Sequence, residues 1–159
     1  MKREILFRGK LCHERKWVEG NFIIAKNVQP YIIPSAIFEP DGHHLIIDSD
    51  NPFWVIPETV GQFTGLTDKN GVKIFEGDIL IIKNKQSGLR SISSYQEYQP
   101  KEGGIFYVKA TIAGFMLCNR PDCDYINEHH NIDNYSFWNN SRSFVVSGNI
   151  HDNPELLHP

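Results

Sequence analysis

The sequence lacks a dominant charge: 16 Lys and Arg stand against 19 Asp and Glu, a net charge of −3. No global field draws such a chain to nucleic acid, although a local basic face stays open. Long apolar runs are also missing. The strongest, ILIIK at 79–83 and LIID at 45–48, fall far short of the roughly 18 apolar residues a membrane helix needs, so no bilayer crossing is expected. The stretch MKREILFRGK returns to charge after three apolar residues and has no h-region of a secretory signal. Cysteine is scarce, and three residues without an even framework fit a reducing compartment, so a cytosolic location is expected. The sequence contains no G-x-x-x-x-G-K-[ST] and no G-x-G-x-x-G placed between a strand and a helix. H-E-x-x-H and G-x-S-x-G are absent too. Those absences remove the P-loop, dinucleotide, zinc-protease and serine-hydrolase readings.

What is present favours sheet. Aromatics make up 12% of 159 residues, against only two Met, and with many Ile and Val they suit pleated, half-buried surfaces. A single domain of mainly β character is expected, built of antiparallel hairpins with long loops and at most short helical turns.

The N-terminal block, 1–24, reads as a hairpin: Ile5 and Phe7 alternate at the strand period, and KWVEGNFII (16–24) supplies the second strand. Prolines 30, 34, 40 and 52 then punctuate a variable segment, 25–52, in which Tyr31–Ile33 and Leu45–Asp48 are expected only as short edge strands. A central β core covers 53–118. It opens with the run FWVI and with Pro57-Glu58-Thr59, where proline suits the first position of a helical turn. Gln62–Thr67 and Val72–Phe75 flank Asp68-Lys69-Asn70-Gly71, a tight hairpin turn by residue chemistry. Glu76-Gly77-Asp78 then breaks the strand, with Gly free to adopt a left-handed backbone and Asp able to accept the amide protons a bend leaves unpaired. Ile79–Ile82, apolar on both faces, reads as a strand between two layers of core. A polar loop, 84–104, leads to Ile105–Ala113, where Phe106, Val108, Ala110 and Ile112 share one face and Tyr107, Lys109 and Thr111 the other. FMLC (115–118) resumes after Gly114. Residues 119–143 read as an irregular variable loop, and 144–159 as a closing strand, Phe144–Ile150, with one helical turn at Pro154–Leu157.

Three groups of side chains invite chemistry. Cys118, Cys123, Asp122, Asp124, Glu128, His129 and His130 crowd the stretch CNRPDCDYINEHH, where thiolates and imidazoles in principle close a zinc site for a metal-binding protein or hydrolase. The plainer reading makes Cys118 a small buried hydrophobe, and no metal, cofactor or catalytic residue is assigned. Asp68, Glu76 and Asp78 offer carboxylates, but turn chemistry accounts for all three. His43-His44 is read as solvent-facing. Lys2, Arg3, Arg8, Lys10, Arg15 and Lys16 cluster near Trp17, and Arg8 and Lys10 fall on one strand face. A basic stripe beside an aromatic suits single-stranded nucleic acid, whereas charge on an exposed hairpin also blunts an edge against aggregation.

REILFRGK with KWVEGNF, then VIPETVGQFTGLTDKNGVKIFEGDIL, then VVSGNIHDNPELL, resemble in that order the YopX family, small proteins encoded mainly by bacteriophages and prophages. The resemblance covers roughly the first twenty-four residues, 55–82 and 145–157. It implies a mostly β fold with SH3-like or half-open barrel character and a bacterial host cell as setting, and it transfers no catalytic residue. His151 and Asp152 depart from the pattern, since relatives often carry an aromatic and an acid there. The expected role is a non-catalytic prophage or mobile-element accessory protein, binding a host or phage protein or associating with itself. Trp17, Trp54 and Trp138 are the side chains to inspect, with nucleic acid as the alternative partner.

Overall fold

A computed structural model describes residues 4–24, 26–27, 29–33, 37–38, 45–46, 53–83, 101–112, 114–119 and 134–157. The chain is mainly β, as its composition predicts, with antiparallel sheets and one short helix. Among the described residues no barrel closes, and no helix is long and apolar enough to cross a membrane. Two compact units divide the chain, Met1–Phe63 and Thr64–Pro159.

In the first unit, β1 (Phe7–Lys10) and β2 (Trp17–Ile23) form the expected hairpin, in register from Phe7 opposite Gly20 to Lys10 opposite Trp17. β2 continues to β3 (Tyr31–Ile33). β4 (Ile37–Phe38) and β5 (Leu45–Ile46) pair as a separate ribbon; of the expected Leu45–Asp48 strand, residues 47–48 lie outside the described residues. The run FWVI makes no strand of its own. It spans two neighbours, with Ile32 N donating to Phe53 O at 3.0 Å and Ile56 N to Lys10 O at 2.9 Å. The expected turn at Pro57–Thr59 is a 3-10 turn with proline at its start. Thr59 Oγ1 accepts from Lys10 N at 2.9 Å and donates to Ile56 O at 2.7 Å, which anchors that turn to the end of β1. The core here is built on a close approach: a Cβ at Gly9 would lie 3.0 Å from both Ile32 Cδ1 and Val55 Cγ1. Both of those side chains are fully buried.

β6 (Gly61–Thr67) begins beside β1, with Phe7 opposite Gln62, and its later residues run beside β7 (Lys73–Phe75). The second unit adds a four-stranded antiparallel sheet. Its members are β8 (Asp78–Ile82), β9 (Ile105–Thr111), β10 (Gly114–Cys118) and β11 (Phe144–Asn149), in the order β10-β9-β8-β11. β8 is covered on both faces, as its unbroken apolar run predicts. Leu80 and Ile82 join Ile74, Phe106, Val108 and Leu117 in one cluster, while Ile79 joins Tyr107, Met116, Cys118 and Leu157 in another. β9 keeps the alternation over its first half, with Phe106 and Val108 in the first cluster and Tyr107 in the second; the expected continuation fails, since Ala110 is exposed and Ile112 lies beyond the strand in solvent. The C-terminal turn is 3-10 in character, and its Leu157 is buried as expected.

One element corrects the sequence reading. Residues 119–143 were expected to be irregular, yet α1 (Asn134–Asn140) is a helix. Seven residues are too few for an apolar face to repeat at helical spacing. Among its described side chains, Phe137 is packed edge-on against Phe144 at 6.1 Å between ring centroids, and Asn140 is also buried. Of the polar loop expected at 84–104, residues 84–100 lie outside the described residues.

The Gly9 contact has a measurable consequence. Gly9→Ala forces a methyl against the branched, stiff Val55, and overpacking of this kind costs about 1–3 kcal/mol. Urea denaturation of the variant is expected to show a lowered midpoint at unchanged slope; an unshifted midpoint contradicts the close packing.

Candidate functional site

The stretch TGLTDKNGVKIFEGDIL supplies two bends, and its carboxylates serve them. At the first, Gly71 takes φ +84°, and Asp68 N donates to Val72 O at 2.8 Å. The Asp68 side chain is 1% exposed. Its Oδ1 accepts from Asn70 N at 2.7 Å and Val72 N at 2.9 Å, and its Oδ2 accepts from Val146 N at 3.1 Å. At the second bend Gly77 takes φ +82°. Here the buried Asp78 accepts from Phe75 N at 2.8 Å through Oδ2, and Asn149 Nδ2 lies 3.5 Å from its Oδ1. Glu76 accepts from Ala110 N at 3.4 Å. Asp68 and Asp78 each accept amides of their own bend, Asp68 takes a further one from β11, and Glu76 takes one from β9; amide donors are how buried carboxylates are ordinarily satisfied.

The same bonds gather the closing segment. Lys69 N donates to Phe144 O at 3.1 Å, and Ile150 N donates to Gly77 O at 2.9 Å. β11 changes register against β8 between Val146 and Gly148. Beyond it a tight turn forms, with Asn149 O accepting from Asp152 N at 3.1 Å and Asn153 N at 2.8 Å. Asn149 Oδ1 accepts from His151 N at 3.0 Å. Gly148 allows the return, since a Cβ there would sit 2.6 Å from Asn153 Oδ1. Against this turn lies a recess of about 260 Å³ lined by Tyr107, Ile150, His151, Pro154 and Leu157. The sequence offered no sign of it beyond the odd residue at position 151, because its walls come from β9 and from the C-terminus.

The sequence-predicted metal residues are only partly placed. Cys118 is buried in the core, and it is disulfide-bonded, which three cysteines without an even framework gave no reason to expect. In that state its sulfur is no thiolate ligand. Cys123, Asp122, Asp124, Glu128, His129 and His130 lie outside the described residues, as do His43 and His44. Among the described residues no group of three or more His, Cys, Asp or Glu is arranged to hold a metal ion.

The basic cluster is divided. The Arg8 guanidinium stacks 4.6 Å from the Trp17 ring centroid, and Lys10 stands opposite Trp17, so three of the expected residues share a face. Glu19 stands opposite Arg8. Lys16 Nζ meets Glu14 Oε2 at 2.9 Å in full solvent. Their hydrogen bond and mutual charge hold the Glu14 carboxyl below its usual range and the Lys16 ammonium above it. Lys2 and Arg3 lie outside the described residues. Among the tryptophans, Trp54 lies 6.4 Å from His13 between ring centroids. Trp138 stands in solvent, its Cη2 3.9 Å from where a Cβ of Gly65 would be.

These features define a small β-rich protein in which the central and closing segments of the recognisable sequence pattern are bonded to each other. The chain matches the model of the YopX protein family over residues 6–158 and belongs to that family. The crystal structure of protein EF1440 from Enterococcus faecalis is similar to it, with a TM-score of 0.55 and 23% sequence identity. That likeness covers 98% of this chain and 99% of that one, and it shows shared fold alone. No curated protein matches.

Asp68→Ala strands three amide protons, one of them on a different strand. The expected loss is about 1–3 kcal/mol, dominated by Val146 N on the edge strand, since an unmet buried donor costs about that much whereas Asn70 and Val72 are exposed and their amides can turn to water. Glu76→Ala, by contrast, is expected to stay within about 0.5 kcal/mol of the parent. Guanidinium titrations of both variants check the pair, and comparable losses would remove Asp68 from its central role.

Proposed function

We propose that this YopX chain is a non-catalytic accessory module of a prophage or related mobile element, acting in the host cytosol by binding a protein of host or phage, or a second copy of itself. The observation that supports it is the combination of committed carboxylates with large apolar side chains held in solvent. Trp138 is 59% exposed on a helix anchored through Phe137, and Ile112 is fully exposed between β9 and β10. An exposed tryptophan on a helix packed to the core through its neighbour, beside bare glycine backbone, is the kind of anchor that dominates protein interfaces. The mobile-element setting follows from the family resemblance. SH3-like character is part of the proposal, supported in the first unit by the 3-10 turn directly preceding a strand that pairs with β1.

Single-stranded nucleic acid is the second reading, favoured by Arg8 and Lys10 sharing a face with Trp17. Glu19 opposite Arg8 and Glu14 on Lys16 offset much of that charge, and binding that neutralises phosphates depends on such charge being available.

Affinity capture from host lysate, with nuclease-treated and untreated arms, separates the two. The expected result is a specific protein retained in both arms and lost with Trp138→Ala, a variant whose denaturation midpoint stays at the parent value. Retention in the untreated arm alone, falling steeply with salt, would move the assignment to nucleic acid.

A further inference from the structure

We propose that one end of the four-stranded sheet is a docking surface for a short acidic segment of a partner protein, which lays its carboxylates along a row of exposed cations and an apolar side chain on Trp138. The inference rests on the protein-binding reading and gives the partner its charge. Backbone hydrogen bonds assemble the row. Lys83 directly follows β8, and its N donates to Ser143 O at 3.0 Å, which sets Arg142 beside it. On one flank Gly103 N donates to Ile82 O at 2.8 Å and brings in the turn that starts at Lys101. On the other, Lys69 N donates to Phe144 O at 3.1 Å.

Lys101, Lys83, Arg142 and Lys69 therefore follow one another across the sheet end, and all four are exposed. With strands about 4.8 Å apart, the backbone row is about 15 Å long, which suits a line of negative charge and not a single ion. Among the described residues none of the four cations meets a carboxylate. Asp68, next to Lys69, is buried with three amides on its oxygens, and Glu102 is the one exposed acid of the segments that bear the row. The hairpin of the first unit differs on this point, since Glu14 and Glu19 stand against its basic residues. At the sheet end no ion pair has to be broken before carboxylates dock.

Trp138 decides which polymer carries the negative charge. It precedes Arg142 by four residues in a helical run, and its Cη2 lies 3.9 Å from where a Cβ of Gly65 would be, four residues before Lys69. The ring thus stands beside the row. Single-stranded nucleic acid is held by stacking successive bases on several aromatic rings. Among the described side chains of the second unit, Trp138 is the only exposed Trp, Tyr or Phe. One ring anchors one side chain, which is how protein interfaces use tryptophan. The net charge of −3 also opposes a long polyanion, whose charge runs on past the row, whereas a short acidic segment ends with it.

The test titrates the full chain with a capped peptide of one leucine between paired glutamates, followed by ¹H–¹⁵N NMR. Saturable shifts centred on Lys69, Lys83, Lys101, Trp138 and Arg142 are expected. Replacing the glutamates by lysines is expected to weaken them about tenfold or more, and so is Arg142→Glu or Lys83→Glu in the protein. Both substitutions fall at exposed positions and are expected to keep the parent denaturation midpoint. Lys26→Glu, the same change of charge at an exposed position of the first unit, is expected to leave the affinity at the parent value. The proposal is overturned if the shifts fall elsewhere, if the two peptides are equivalent, or if Lys26→Glu weakens binding as much as Arg142→Glu. Tighter binding of an oligothymidylate than of the glutamate peptide, at equal ionic strength, also overturns it and gives the surface to nucleic acid. Partner capture from lysate that is undiminished in Arg142→Glu overturns the surface while leaving the protein-binding reading standing; a lysate that yields no protein at all removes that reading and the surface with it.

Discussion

The second unit depends on one carboxylate. Asp68 sits in a hairpin turn that forms from its own neighbours, yet its second oxygen bonds the amide of Val146, 78 residues away in sequence. β11 is the last strand of its sheet, and such a strand presents unpaired backbone groups along its outer side. The turn covers part of that side, through Asp68 at Val146 and through Lys69 at the carbonyl of Phe144. A buried carboxylate is tolerable only with its acceptor sites occupied. Three amide donors meet that requirement, so a local bend becomes a long-range joint.

From this joint the remaining geometry of the closing segment follows. With Val146 held, β11 shifts register before Gly148, Asn149 is brought to Asp78, and Ile150 donates to Gly77. The chain then turns tightly enough to place His151 and Pro154 over Tyr107. Two of the three segments that carry the YopX pattern, the central and the closing one, are thus two halves of one structural device. Their Asp, Asn and Gly residues look like the makings of a reaction centre and instead satisfy and bend the backbone.

Legibility followed the range of the interactions involved. β8 was readable because four successive apolar residues directly after a Gly-Asp bend suit a strand covered on both faces. The turns at Asp68–Gly71 and Gly77 were readable because glycine and Asx chemistry act within four residues. α1 was not, since the packing of Phe137 on Phe144 is a long-range contact that seven residues do not announce. The run FWVI has the composition of a strand, but its backbone partners, Pro30, Ile32, Lys10 and Cys12, come from two separate segments, and it divides itself between them. The basic cluster was legible as composition only. Lys16 next to Glu14 and Arg8 opposite Glu19 are pairings set by hairpin register, which a count of charges does not contain.

By itself, then, the sequence determined the β class, the position of nearly every strand and bend, and membership of the pattern seen in YopX proteins. These are properties of residues and near neighbours: side-chain period, positive φ at glycine, short side chains reaching adjacent amides. Tertiary structure alone decided that Asp68 joins Val146, that Cys118 is oxidised, that the basic residues are partly neutralised, and that a recess exists beneath His151. The Asp68–Val146 joint and the recess need groups far apart in the chain to arrive within a few ångströms, while the Glu14–Lys16 pair and the oxidation of Cys118 depend on how near neighbours are turned toward one another, and only the folded backbone decides either.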